Sequence, residues 1–341
     1  MTTQPDLKRY QTQSGLTVYR LPVEAFPNHF TNCYLVLADE EVVLIDAASG
    51  WNKANQSMLE AFDALRETYH ESVTLADVTT LLITHGHIDH YGGIHFVKEH
   101  APRVKVGIHE LDAPIVEQLA DRIIMSTKNL EVFLERAGLS AERVAELSRM
   151  NKWSKDMFTP TPVDFRMDAL HPEPLRGLFR VYHTPGHCPG EVCLQLDDLL
   201  FTGDHVLARI TPHQSPEGIT HHTGLGHYFD SLRAVRDTGG VRLALGGHEA
   251  EIEDLPRRVD EIRRFHEERL EKTLAICHEP HTIADISKQL FHRVSGYNVL
   301  LALLETGAHV EYLYQLGELR ITNLDEVERE HNPVIYYQAK R

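Results

Sequence analysis

The stretch THGHIDHYGG, Thr84–Gly93, places three histidines and an aspartate within the six positions His85 to His90. It follows the apolar run Leu81-Leu82-Ile83 and leads into a helical period from Gly92 to His100. The motif therefore sits on a strand–loop–helix junction, where side chains reach out from a rigid base. On an extended stretch, side chains two apart point the same way, so His85 and His87 can grip one ion. Asp89 and His90, past the bend, can grip a neighbouring one. Imidazole suits zinc, iron and manganese, and a carboxylate adds charge and tolerance of harder metals.

Six residues cannot fill two coordination spheres, so further ligands are required downstream. HTPGHCPGE supplies His187 in a Gly/Pro-rich turn. LLFTGDH supplies Asp204 and LALGGHE supplies His248, each directly after a strand and beside glycine. Together, HGHIDH, His187, FTGD and GGH resemble the metallo-β-lactamase superfamily of binuclear hydrolases, over roughly residues 15–254. The resemblance implies an α/β fold, the four-layer αβ/βα sandwich with the metals at one edge. Carried over position by position, it implies that His85, His87 and His187 bind one divalent metal. Asp89, His90 and His248 then bind the second, and Asp204 bridges them. Asp46, ending the strand VVLID, would support the ligands from behind. Zinc is the first expectation for both ions, with iron and manganese as alternatives. Asp89 is also the catalytic candidate, orienting a metal-activated water.

The remaining sequence sets the frame. NCYLVLADEEVVLIDAASG reads as two strands with a turn near Ala38–Glu41. Residues 53–69 read as a helix, and Val78–Thr84 and Val104–His109 as strands. A helical insert spans about 110–158, broken near Gly138 with Ser140 as a cap. Strands follow at Leu178–His183, Glu191–Leu196 and Leu199–Thr202. A long Pro/Gly/His-rich loop covers 211–226, and long loops are often functional. A helix, His227–Asp237, and a strand, Val241–Leu245, complete this part. The insert is expected to cover the metal site, with Tyr91, Trp153, Lys155, Phe158 and Tyr228 as candidates to line the substrate pocket.

After DLPRR the texture changes, which places a boundary at 254: a catalytic domain over 1–254 and a tail over 255–341. The tail reads as a long charged helix from Val259 to Ile276, short helices, then the strands ELRIT and PVIYYQ. That order is similar to the winged-helix unit of lactamase-like proteins related to the mitochondrial endoribonuclease and of glyoxalase-II-like hydrolases. A nucleic-acid-reading helix should carry Lys or Arg, and YNVLLALLETGAHVEYL carries none, so packing is the expected role.

Composition bounds the function. Of 341 residues, 42% are hydrophobic and 25% charged, as in an ordinary globular protein. The net charge is −16. From Leu255 onward 12 basic residues face 14 acidic ones, so nearly all of the negative charge lies in 1–254, where it repels phosphate backbones. No apolar run suggests a membrane helix, and the N-terminus MTTQPDLKRYQ lacks the apolar stretch of a secretory signal. A cytoplasmic location is expected, with Cys33, Cys188, Cys193 and Cys277 reduced. Histidines such as His70, His100, His266 and His331, among 23 in all, are expected to be solvated. The expected activity is hydrolysis of a small acyl thioester or ester, like that of hydroxyacylglutathione hydrolases. The alternatives are a phosphodiesterase or endoribonuclease on single-stranded RNA, a lactonase or β-lactamase, or a non-enzymatic regulator. A homodimer is a common state in the superfamily that the chain resembles.

Overall fold

Central strands buried on both faces build two sheets back to back. In the computed structural model, which describes residues 6–153, 158–168 and 174–340, the first sheet has seven strands in sequence order. They are β1 (Lys8–Gln11), β2 (Thr17–Phe26), β3 (His29–Leu37), β4 (Val42–Ile45), β5 (Thr80–Leu82), β6 (Lys105–His109) and β7 (Phe165–Met167). β1 to β4 pair antiparallel and β4 to β7 pair parallel. The second sheet, in the order β12-β11-β10-β9-β8, is formed by β8 (Arg180–His183), β9 (Val192–Leu196), β10 (Leu199–Gly203), β11 (Leu243–Gly246) and β12 (Glu251–Ile252).

The two-residue period sorts side chains into layers. On β3 and β4, Tyr34, Val36, Val43 and Ile45 meet Leu194, Leu196, Leu199, Phe201 and Leu245 of the second sheet. Their alternates Cys33, Leu35 and Leu44 face outward. They meet Met58, Phe62 and Leu65 of α1 (Ala54–Tyr69), and Ile94 and Val97 of α3 (Ile94–His100), which follows the single turn α2 (Ile88–Tyr91). Beyond the second sheet, Cys193, Leu200 and Ala244 meet α8 (Leu225–Arg236) and α9 (Leu255–Ile276). Helix, sheet, sheet, helix is the four-layer αβ/βα sandwich.

The insert comprises α4 (Ala113–Glu117), α5 (Leu119–Arg136) and α6 (Ala141–Lys152), and the small α7 (Pro174–Gly177) follows β7. Ser140 caps α6 by accepting from the Arg143 amide. The tail adds α10 (Ile283–Leu290), α11 (Tyr297–Gln315), β13 (Leu319–Ile321), α12 (Leu324–Arg329) and β14 (Tyr337–Ala339). Insert and tail share their cores. Leu130, Leu134, Val144 and Leu147 pack on Ala284, Leu300 and Leu303, while Ala137 packs with Ile286, Val310, Leu313 and Leu319.

Several expectations are corrected. α9 begins at Leu255, not Val259, because Asp254 accepts from the Arg257 amide at 3.0 Å and Pro256 occupies the first turn. There the missing N–H is harmless. α11 is not a short helix but runs for 19 residues. His266 is fully buried rather than solvated, with Nδ1 3.2 Å from His309 Nε2. Among the described residues, no helix is long and apolar enough to cross a membrane. The four cysteines are all buried and free.

Removing 255–341 would uncover the apolar faces of α5, α6 and α8. The truncated chain is expected to aggregate in size-exclusion chromatography; a monodisperse truncation with a wild-type unfolding midpoint would contradict the shared core.

Candidate metal centre

The ends of four strands converge at one edge of the sandwich. Asp46 follows β4, the His85 loop follows β5, Asp204 follows β10 and His248 comes soon after β11. The two sheets are stitched together there. The Asn32 amide donates to the Gly247 carbonyl at 2.7 Å, and the Tyr34 hydroxyl to the Gly246 carbonyl at 2.7 Å.

Hydrogen bonds at Nδ1 fix the direction of four imidazoles. His90 Nδ1 lies 2.8 Å from Asp46 Oδ2, His187 Nδ1 2.7 Å from the His213 carbonyl, and His248 Nδ1 2.7 Å from the Phe30 carbonyl. His85 Nδ1 lies 3.0 Å from Thr84 Oγ1, whose own proton goes to Asp46 Oδ2 at 2.9 Å. An oxygen acceptor at each Nδ1 assigns the proton there and leaves Nε2 as a lone-pair donor. His87 is turned the other way, with Nδ1 3.1 Å from His85 Nε2.

These donor atoms gather in two sets. His85, His87 and His187 form one, with ligand atoms within 4.8 Å of one another. In the second, His248 Nε2 is 3.5 Å from Asp89 Oδ2 and 3.3 Å from Asp204 Oδ2. His90 Nε2 is 3.9 Å from Asp89 Oδ2 and 3.6 Å from Asp204 Oδ1. Asp204 Oδ2 also lies 3.8 Å from His187 Nε2, so this carboxylate stands between the sets. Ligands at about 2.0–2.1 Å from a tetrahedral ion stand about 3.4 Å apart, close to these separations. His90 Nε2, His187 Nε2 and Asp204 Oδ1 are buried and have no hydrogen-bond partner. The donor set therefore fits a pair of divalent ions.

The electrostatics agree. Burial pushes His87 down to about 3, and holds His85 well below the usual imidazole range with help from His90 and His87. Both stay neutral, as ligands must be. Burial also pulls on His90 and His248, but carboxylates outweigh it. Asp46, Asp204 and Asp89 raise His90, and Asp204 and Asp89 raise His248 well above its ordinary value. The same carboxylates that attract a proton to these imidazoles would also attract a metal cation, which must displace that proton to bind. Burial would raise Asp89 and Asp204, yet the histidines around them hold both well below the usual carboxylate range.

Other residues shape the site without having stood out in the sequence. Asp112, just before α4, accepts from the Gly86 amide at 2.6 Å, the Gly190 amide at 2.8 Å and Cys188 Sγ at 3.2 Å. It ties the His85 loop to the His187 loop. Buried Glu191 accepts from the Asp204 amide at 2.9 Å and lies 3.6 Å from His85 Nδ1. His29, the first residue of β3, is 2.9 Å from Asp89 Oδ2. Asp112 makes no side-chain cap bond to its own helix, so only the distant loops explain it.

The pocket candidates fare differently. Tyr228 is fully buried and its hydroxyl donates to the His205 carbonyl at 2.8 Å, so it is a core residue and lines no pocket. Tyr91 is buried in the outer core of the first sheet, and Phe158 packs against that core. Trp153 is 45% exposed and stands edge-on to Phe26 and Trp51, with centroids 6.2 and 6.0 Å away. Lys155 lies outside the described residues.

A family model described as the metallo-beta-lactamase superfamily matches residues 27–248. The chain belongs to the metallo-beta-lactamase superfamily. It is 27% identical over 261 residues to an Aspergillus fumigatus protein named atrochrysone carboxyl ACP thioesterase, covering 75% of this chain and 63% of that one. It is 25% identical over 252 residues to the lactamase-like protein adaB of Aspergillus niger, covering 72% and 58%. The chain thus spans less than two thirds of these relatives' length. A solved metallo-beta-lactamase family protein from Thermus thermophilus superposes with a TM-score of 0.73 at 28% identity, over 95% of this chain and 98% of that one. A beta-lactamase domain protein from Burkholderia ambifaria shares the fold, with a TM-score of 0.75 at 21% identity, over 99% and 96%.

The GGH motif has a steric reason within this superfamily member. A Cβ at position 247 would lie 2.6 Å from His90 Cε1 and 2.7 Å from Asp204 Oδ1. Gly247→Ala is expected to displace one of these side chains and lower metal content by elemental analysis while the far-UV circular dichroism stays native. Full metal content in the variant would contradict this close approach.

Proposed function

We propose that the protein is a binuclear metal-dependent hydrolase acting on a small acyl thioester or ester, in the manner of hydroxyacylglutathione hydrolases. The observation that carries this reading is the convergence of Nδ1-anchored imidazoles on two carboxylates, with three buried ligand atoms left unpaired. An unpaired buried polar atom costs about 1–3 kcal/mol, and metal coordination removes that cost. His85, His87 and His187 would hold one ion, and Asp89, His90 and His248 the other, with Asp204 shared. Zinc suits this nitrogen and oxygen set, as do iron and manganese. Divalent ions held by these residues would supply Lewis-acid activation of water and of the substrate's carbonyl.

The chain's own groups do the positioning. Asp46 keeps His90 in one tautomer, and the carbonyls of His213 and Phe30 do the same for His187 and His248. Asp89, held by His29 and His248, would orient the attacking oxygen. A thiolate leaves with little help from an acid, which favours a thioester over an alkyl ester. The thioesterase name of the Aspergillus fumigatus relative supports the same class. The acidic first part of the chain disfavours a phosphodiester backbone.

The tail is read as winged-helix-like, with the division at 254 and the insert over about 110–158. α10 and α11 precede the antiparallel pair β13 and β14, with α12 between its strands, and an isolated bridge joins His281 to Tyr337. Its central helix buries Leu300, Leu303, Val310 and Leu313, which supports a packing role. The proposed partner is a small acyl substrate, ahead of nucleic acid and without a membrane, and a homodimer is the proposed alternative to a single chain.

Metal-loaded protein should hydrolyse S-lactoylglutathione or an acyl-pantetheine thioester. The Asp89→Asn variant should be slower by about 10²–10⁴-fold, the range of a lost acid–base group. Failure on both thioesters, with two ions bound, would overturn the thioester reading and bring lactones and single-stranded RNA forward.

A further inference from the structure

The loop between Gly203 and α8 is held from the tail. Glu305 of α11, 6% exposed, accepts at Oε2 from the Gln214 amide at 2.7 Å and from His213 Nδ1 at 3.2 Å. Its other oxygen, Oε1, is clamped by Arg269 of α9. The Arg269 guanidinium is itself fixed between the rings of Phe265 and Phe291, at 4.4 and 5.0 Å from their centroids. Further along α11, Glu311 accepts from the Glu217 amide at 2.7 Å and the Gly218 amide at 2.9 Å. α11 thus grips the loop at two points. The first reaches the hydrogen bond of His187 itself, because the His213 carbonyl is the acceptor for His187 Nδ1; beyond the second, the loop meets the neighbouring Gly186, whose carbonyl accepts from the Gly224 amide at 3.0 Å. An unbroken chain of contacts runs Arg269–Glu305–His213–His187.

The same region contains a buried group, His266, Glu305 and His309, with ligand-like spacing. Its bonding speaks against an ion. Glu305 Oε1 already faces a guanidinium, and Oε2 already accepts two bonds. His309 Nδ1 donates to the Glu305 carbonyl at 2.7 Å, which leaves its Nε2 to accept from His266 Nδ1 at 3.2 Å. The Glu305 carboxylate is held instead by Arg269, His213 and the Gln214 amide, with both imidazoles 3.8 Å from its Oε1.

We propose that Glu305, clamped by Arg269, is a positioning residue for His187: the tail fixes the His213 carbonyl that aims this imidazole at the metal. The inference rests on the assignment of His187 as a metal ligand under Proposed function. With the carbonyl displaced, the ring can rotate and its tautomer is no longer fixed. Loss of a group that orients a ligand typically weakens metal binding about 10–100-fold.

The test uses the full chain, stripped of metal and titrated with zinc against a chromogenic chelator. Four proteins are compared: wild type, Glu305→Gln, Glu311→Gln and His187→Ala, with the unfolding midpoint of each recorded. Glu305→Gln should weaken one of two zinc ions by about 10–100-fold. Glu311→Gln removes the other grip on the same loop and should leave both affinities unchanged, whatever it does to the midpoint. Unchanged zinc affinity in Glu305→Gln, or an equal loss in both glutamate variants, overturns the proposal. His187→Ala separates the two readings. If it keeps both ions at wild-type affinity, the ligand assignment falls and the link with it. If it loses an ion while Glu305→Gln does not, only the link falls. Should Glu305→Gln fail to fold, Arg269→Lys carries the same expectation and the same overturning result.

Discussion

The carboxylate of Asp46 is the constraint on which the rest of the centre depends. It sits 1% exposed at the end of β4, with φ at +62°. Oδ1 accepts from the Thr84 amide at 2.8 Å, and Oδ2 accepts from the Thr84 hydroxyl at 2.9 Å and from His90 Nδ1 at 2.8 Å. One side chain therefore joins two neighbouring parallel strands, fixes the start of the histidine loop and sets the tautomer of His90. Through Thr84 it also reaches His85. A buried carboxylate is tolerated when it is fully hydrogen-bonded, and here the bonds also order His90 and the loop that carries His85.

The same logic repeats outward with different acceptors. Backbone carbonyls of Phe30 and His213 do for His248 and His187 what Asp46 does for His90. Asp112 ties the His85 and His187 loops together, and Glu191 seats the Asp204 amide. The tail joins this scheme rather than standing apart from it. Its helices share cores with the insert, and its glutamates hold the 211–224 loop. The sandwich supplies the strand ends, and the added helices stabilise the loops between them.

The metal motif is legible in the sequence because its first four donors lie within six residues. The downstream donors each follow a strand beside glycine. Layer assignment is less legible, since β3 and β4 are buried on both faces and their apolar residues run without a break. Asp112 and Glu191 cannot be read in the same way. Their partners are backbone amides in distant loops, and no local pattern marks such a bond. His266 reads as solvated because it sits among Arg and Glu on a charged helix, while its burial is set by α11 packing over it. Tyr228 stands as a pocket candidate in the sequence, yet the helix turns it into the core. The short strands β1 and β7 and the short helix α12 offer too few residues for a period to show.

The most direct test of this account is anomalous diffraction from crystals of the zinc-loaded full chain, collected on both sides of the zinc absorption edge. The account predicts two anomalous peaks flanking Asp204, one bounded by His85, His87 and His187 and the other by Asp89, His90 and His248. A single peak, or peaks away from these side chains, would contradict it.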